Sequence, residues 1–282
     1  MAISTLLVHL APDPDCETRL KAAAKLAQEM GAHLVALYVA TPVHLPPGAE
    51  GRGASAVFLQ QAREKAREKA TAIEKLVKDI CADAGITYDW AYGEADHLDH
   101  LLEEVHHVDL TILNQVSFDS FEDRLMYQLP EKLVMGAGGP VLILPKGMTE
   151  IGLKKIGTVL VAWTYSKEAI RAMRDALPFL QQADAVKLFT CGALPKSKKD
   201  REAAAAAEPV VEYLKRHGVN ADHIIHSISG HAGEEILDTA ETIHADLIVM
   251  GAYGHTSLLD KLFGSASRYV IGHTSVPVLM SH

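Results

Sequence analysis

The residues with the clearest chemical potential stand near the C-terminus: Gly251-Ala252-Tyr253-Gly254-His255-Thr256-Ser257, then Leu258 to Phe263, then Gly264-Ser265. Two glycines three apart leave the main chain free of side chains and able to take positive φ, so successive N–H groups can converge on an anion. Gly264-Ser265 repeats the device, and Ser265 is a good N-cap for a helix through Ser267, Tyr269 and Val270. A phosphate there would meet unpaired amides, a hydroxyl and the positive helix end. Glycines serving plain tight turns are the competing reading of an isolated pair; four such residues between a strand and a helix favour the phosphate. His255 and Lys261 are the ionisable groups nearest in sequence, suited to compensating phosphate charge. Neither has an evident carboxylate partner, so no catalytic residue is assigned.

The glycines need a strand to deliver them, and Ala245-Asp246-Leu247-Ile248-Val249-Met250 reads as a buried parallel strand ending there. The carboxyl ends of such strands are where α/β sheets bind ligands. A repeat organises the rest. Gly251 to Pro277 spans 26 positions, as does Asn114 to Pro140; Asp109-Leu110-Thr111-Ile112-Leu113 matches Asp246-Leu247-Ile248-Val249-Met250, and Thr5-Leu6-Leu7-Val8 answers Thr158-Val159-Leu160-Val161. Two copies of one unit, 1–146 and 147–282, account for the 282 residues. Thr5 to Asn114 is 109 positions and Thr158 to Gly251 is 93. The difference of 16 falls in the Pro/Gly-rich stretch from Pro42 to about Phe58, a lid or surface decoration.

Each copy reads β-α-β-α-β-α-β-α-β. In the first, the spacing predicts a strand over Thr5 to His9, a helix begun by Asp15 or Thr18 and stopped by Gly31, a strand over His33 to Val39, and a long helix on Phe58, Ile73 and Ile80. A strand over Tyr88 to Tyr92, a helix over Asp96 to Val105 and a strand over Leu110 to Leu113 follow. In the second copy the pattern predicts a strand over 158–162, one helix over 166–182, a strand over 186–190, a helix closed by Gly218, a strand over Ile224 to Ile228 and a helix over Glu234 to Ile243.

At this point the chain resembles the universal stress protein family, on the strand, on Gly251-x2-Gly254-x9-Gly264-Ser265 and on the terminal strand Val276-Pro277-Val278-Leu279-Met280. The resemblance covers both halves and implies an α/β fold of two doubly wound, five-stranded, parallel-sheet (Rossmann-like) domains forming an intramolecular pseudo-dimer. It further implies packing of Val141 to Leu144 against Val278 to Met280. It also implies ATP, with or without Mg, as cofactor, with Gly251, Gly254, Gly264 and Ser265 on the phosphates and ribose. The full expected binding set is Thr164, Thr190, Met250, Gly251, Gly254, His255, Gly264, Ser265 and Ala266. Many family members carry an acidic residue where Thr164 stands, so Thr164, Ser166 and the backbone around Phe189, Thr190 and Cys191 are left to read the base; Ser166 has the rival task of capping its helix.

The first copy departs from the pattern. Asn114 stands at the Gly251 position, Ser117 at Gly254, Tyr127 at Gly264 and Gln128 at Ser265. Side chains there obstruct close backbone approach, and with Phe118 and Phe121 the rings fill the hollow, so no ATP is expected in this half. A structural role and another ligand are the two readings of it.

Secondary features are weighed against blander explanations. Asp96-His97-Leu98-Asp99-His100 with His106-His107 offers metal-type donors, but a solvated helix face explains it better. Cys16, Cys81 and Cys191 are few and scattered, which suits free thiols in a reducing compartment; for Cys16 burial is preferred over a redox role. The net charge of −9 argues against a general nucleic-acid binder, and no stretch approaches the roughly 18 apolar residues of a membrane span. The expectation is a cytoplasmic, nucleotide-dependent stress-response module with an adenine nucleotide, an unspecified regulatory protein and a second copy of itself as candidate partners. A slow ATP-hydrolysing enzyme and a nucleotide-free sensor are the competing readings.

Overall fold

The structure is a computed structural model that describes residues 2–40, 53–94, 96–116, 128–148, 151–191, 198–226, 231–252 and 265–282. Its first half contains β1 (Thr5–Leu10), α1 (Cys16–Met30), β2 (His33–Ala40), α2 (Gly53–Ala84), β3 (Tyr88–Glu94), α3 (His97–Glu104), β4 (Leu110–Asn114), α4 (Leu129–Gly136) and β5 (Val141–Leu144). The second contains β6 (Thr158–Ala162), α5 (Lys167–Asp175), α6 (Leu177–Leu180), β7 (Ala185–Cys191), α7 (Lys198–Arg216), β8 (Ala221–His226), α8 (Ala232–Thr242), β9 (Leu247–Gly251), α9 (Ser265–His273) and β10 (Val278–Ser281).

The strands form one ten-stranded sheet in the order β3-β2-β1-β4-β5-β10-β9-β6-β7-β8. Every neighbouring pair is parallel except β5 and β10, which are antiparallel and join the halves, with Val278 opposite Ile143, Leu279 opposite Leu142 and Met280 opposite Val141. Each half therefore has the doubly wound order 3-2-1-4-5, whose topological switch point lies between its first and fourth strands. The near-continuous apolar runs are explained by burial on both faces: Leu6, Val8 and Leu10 face one core, Leu7 the other. The first core is covered by α1, α2, α5, α6 and α7, the second by α3, α4, α8 and α9.

The two halves share one anchoring contact. Asp109 accepts hydrogen bonds from the N–H groups of Ser4 (2.8 Å) and Thr5 (3.0 Å) through Oδ2, and Asp246 does the same for Gly157 (2.8 Å) and Thr158 (2.9 Å). A carboxylate just before each fourth strand thus fastens the start of each first strand. Gly31, at φ 65°, ends α1 in the left-handed region that favours glycine, as the spacing predicts.

Several boundaries differ from expectation, three of them for a physical reason visible in the structure. The helix expected over 166–182 is divided into α5 and α6 at Ala176, because Pro178 has no N–H to continue the ladder. The strand expected over Ile224 to Ile228 runs instead over Ala221–His226, set by register with Val186 to Cys191. The strand expected from Ala245 starts at Leu247, because Asp246 is engaged with Gly157 and Thr158. The inserted stretch from Pro42 lies largely outside the described residues, and α2 extends the long helix back to Gly53.

Leu279 is fully buried where the halves meet. Leu279→Ala is expected to lower the unfolding free energy by about 3 kcal/mol, through lost transfer energy and an unfilled cavity, measured by urea titration.

Candidate functional site

The carboxyl ends of β6 and β9 lie side by side, with Ala162 in register with Met250. β6 continues into Trp163, Thr164, Tyr165 and Ser166, and α5 begins immediately after. Ser166 caps it: its Oγ accepts from Ala169 N–H at 3.1 Å and from the Thr164 hydroxyl at 3.2 Å. The buried Glu168 side chain stands in the same first turn of α5. Burial alone would push the Glu168 carboxyl up. Its own N–H, the Ser166 hydroxyl, Lys167 and His282 outweigh that and hold it below the usual carboxylate value. The start of α5 is therefore already supplied with negative charge.

Gly251 ends β9 directly beneath this turn. A Cβ there would lie 2.4 Å from Ala169 N and 2.5 Å from the Glu168 carbonyl carbon, so only glycine lets α5 approach the sheet this closely. Packing against α5 is a concrete reason for glycine at this position, separate from the phosphate contact expected from the spacing. Met250 is buried beside it and Ala252 follows, held to Ser281 and His282 through backbone and ring hydrogen bonds.

α9 begins at Ser265, so its first-turn N–H groups, which no helix satisfies internally, stand just after the third glycine of the motif. Ala266 is half-buried at that turn. Gly254, His255, Lys261 and Gly264 lie outside the described residues, as does the side chain of Ser265. Thr164 is exposed at the mouth, whereas Thr190, next to last in β7, hydrogen-bonds His223 in the middle of β8 at 2.8 Å. The structure thus gathers Thr164, Met250 and Gly251 at adjacent strand ends, with Thr190 on the next strand outward.

Two side chains here escaped the sequence reading. Glu168 is one, signalled only as an acid in the first turn of a helix. Trp163 is the other: its ring is buried and meets that of Tyr165 edge-on, centroids 6.2 Å apart. The space beside Gly251 that a Cβ would need is filled by the α5 backbone, so packing accounts for the bare residue there.

The equivalent place in the first half is built differently. Asn114 replaces Gly251 and its Oδ1 is buried without a partner among the described residues. Ser117, Phe118, Phe121 and Tyr127 lie outside the described residues; Gln128 precedes α4 without a side-chain cap. Below this end, His9 Nε2 and His97 Nδ1 lie 2.9 Å apart in the interior. Arg19, 2% exposed, donates through Nε to the His9 carbonyl at 2.6 Å and pairs with Asp13 at 2.7 Å, closing the loop after β1 on itself. Burial, followed by the Arg19 and His97 charges, depresses the His9 pKa well below the usual imidazole value; burial lowers that of His97 to about 4.

The histidine stretch is likewise distributed rather than gathered. His97 points inward, His100 packs over Gly93 with Glu103 at 3.5 Å, and His106 and His107 are exposed. Among the described residues no three of His, Cys, Asp and Glu converge as a metal shell. Cys16 and Cys81 are buried free thiols whose pKa values burial raises, to about 11 for Cys81; the Cys191 side chain lies outside the described residues. No helix among the described residues is long and apolar enough to cross a membrane.

Topology and strand-end geometry define a doubly wound, Rossmann-like α/β protein. Comparison with known proteins is more specific. Residues 155–282 match the model of the universal stress protein family. The universal stress protein Slr1230 of Synechocystis is 26% identical over 275 residues, covering 91% of this chain and 92% of that one. The universal stress protein MJ0577 of Methanocaldococcus jannaschii is 35% identical over 85 residues, 30% of this chain and 51% of the relative. The crystal structure of a universal stress protein from Archaeoglobus fulgidus shares the fold across 98% of this chain and 95% of its own, with a TM-score of 0.73 at 20% identity. The chain is thus similar to universal stress proteins, the family model matching its C-terminal part.

Two outcomes are expected. Gly251→Ala should cost roughly 1–3 kcal/mol in urea unfolding, because α5 must move away from β9. For the histidine pair the folded pKa values are depressed, so the unfolded chain binds more protons at mildly acid pH. The stability contributed by neutral His9 and His97 is present above about pH 6.5 and is lost as pH falls toward the His97 value of about 4. Melting temperature followed over that range should fall less steeply in His97→Gln than in the parent.

Proposed function

We propose that the chain is a nucleotide-dependent binding module that holds ATP in its C-terminal half. The observation that carries this reading is the placement of α9: it starts at Ser265, immediately after Gly264, across from a strand that ends on Gly251. The start of α5 is occupied by Ser166 and Glu168, so the first turn of α9 is where amides remain for a polyphosphate. Gly251, Gly254, Gly264 and Ser265 would hold the phosphates, with Ala266 beside them and His255 compensating charge. Thr164, Thr190 and Trp163 stand where a ribose and base would lie, at the ends of β6 and β7. A partner that binds differently to the occupied and empty forms would read nucleotide occupancy. In the first half Asn114 and Gln128 replace the equivalent glycine and serine, so the module has one nucleotide site.

Isothermal titration calorimetry with Mg·ATP tests this. The parent should bind one equivalent, Gly254→Ala with Ser265→Ala should lose binding while retaining the parent's melting profile, and Ser117→Ala with Gln128→Ala should bind as the parent does. A parent with no heat of binding, and no melting shift at millimolar ATP, would refute the reading.

A further inference from the structure

From the fourth strand of each half onward, repeat positions are 137 residues apart, as with Asp109 and Asp246 or Pro140 and Pro277. Leu142 and Leu279 are one such equivalent pair, and they are also register partners across β5 and β10. A residue that faces its own equivalent marks a two-fold axis. Glu131 of α4 and Arg268 of α9 are likewise 137 apart. They too meet: Nε and Nη2 of Arg268 lie 2.8 and 2.9 Å from the two carboxylate oxygens of Glu131. In a symmetric dimer an axial position opposes a charge to itself, whereas here opposite charges stand at it. The Glu131 side chain is only 9% exposed, so a like charge at this place would be weakly screened.

We propose that this axial charge pair encodes which halves associate: the pairing face of the N-terminal half fits the C-terminal half and rejects a second copy of itself, and the reverse holds for the C-terminal half. An association of two N-terminal halves would oppose Glu131 to Glu131, and one of two C-terminal halves would oppose Arg268 to Arg268. Only the mixed pairing is complementary. Two further contacts have no mirror image. Gln115 Nε2 donates to the Ile271 carbonyl at 2.8 Å, but the equivalent of Gln115 is Ala252, which has no side-chain amide. Arg171 reaches the carbonyls of Gly138 and His282, and its counterpart, counted from Thr5 and Thr158, is Thr18, whose short side chain bonds locally to Asp15 O. The interface thus combines attraction for the unlike half with repulsion of the like one, the two elements that specificity requires.

The full-length chain tests this through thermal unfolding of Glu131→Arg, Arg268→Glu and the double exchange. Glu131→Arg reproduces, inside one chain, the Arg–Arg contact of two C-terminal halves; Arg268→Glu reproduces the Glu–Glu contact of two N-terminal halves. Each single variant should melt about 3 °C or more below the parent, and the double exchange should recover at least half of the summed loss. Arg268→Glu is the sharper arm. It places an acid in the first turn of α9, where the helix end favours one, so a loss there reports the opposing Glu131. Arg268→Glu melting at or above the parent, or a double exchange melting no higher than the weaker single variant, would overturn the proposal.

Discussion

The antiparallel contact of β5 with β10 is the constraint on which the remaining structure depends. Each half alone would present an apolar strand with unpaired N–H and C=O groups, the hazard that open sheet edges carry. Pairing the two turns both liabilities into the centre of a ten-stranded sheet and gives each face one core spanning the molecule. The edges that remain, β3 and β8, are more polar. Tyr92 hydrogen-bonds Glu94, and Asp222 pairs with Lys187 of the neighbouring strand at 2.8 Å. Charged side chains along an edge discourage further strand addition.

At the ends of β6 and β9 packing sets the residue types. Gly251 is bare because α5 rests on it. Ser166 caps the start of α5. In the first half Asn114 occupies the same strand end, while the loop after β1 is tied to its own helix by Arg19 and Asp13. Two copies of one topology thus differ where strands end and agree where strands pair.

The sequence made the fold legible because a repeat 137 residues long carries two aligned sets of buried strands, and Gly31 and Gly218 stop helices where left-handed φ is required. It misplaced β8 by several residues, since half-buried edge strands lack the continuous apolar run of central ones. It missed the break at Pro178, although proline supplied the signal. At the site, the glycine spacing located the strand end, but Glu168 and Trp163 acquire meaning only from tertiary burial. The histidine stretch showed donors without showing direction, and only the inward turn of His97 onto His9 separates it from exposed His106 and His107.

The carboxylate that fastens each first strand lies about a hundred residues downstream of it, and the partner of β5 lies 137 residues downstream. During synthesis, at about 5–20 residues per second, β5 therefore waits roughly 7–27 s for β10 after leaving the ribosome. Throughout that interval the N-terminal half has an uncovered apolar margin at which nascent chains on one polysome can stick together. The brevity of β5, four residues, limits how strongly they do so.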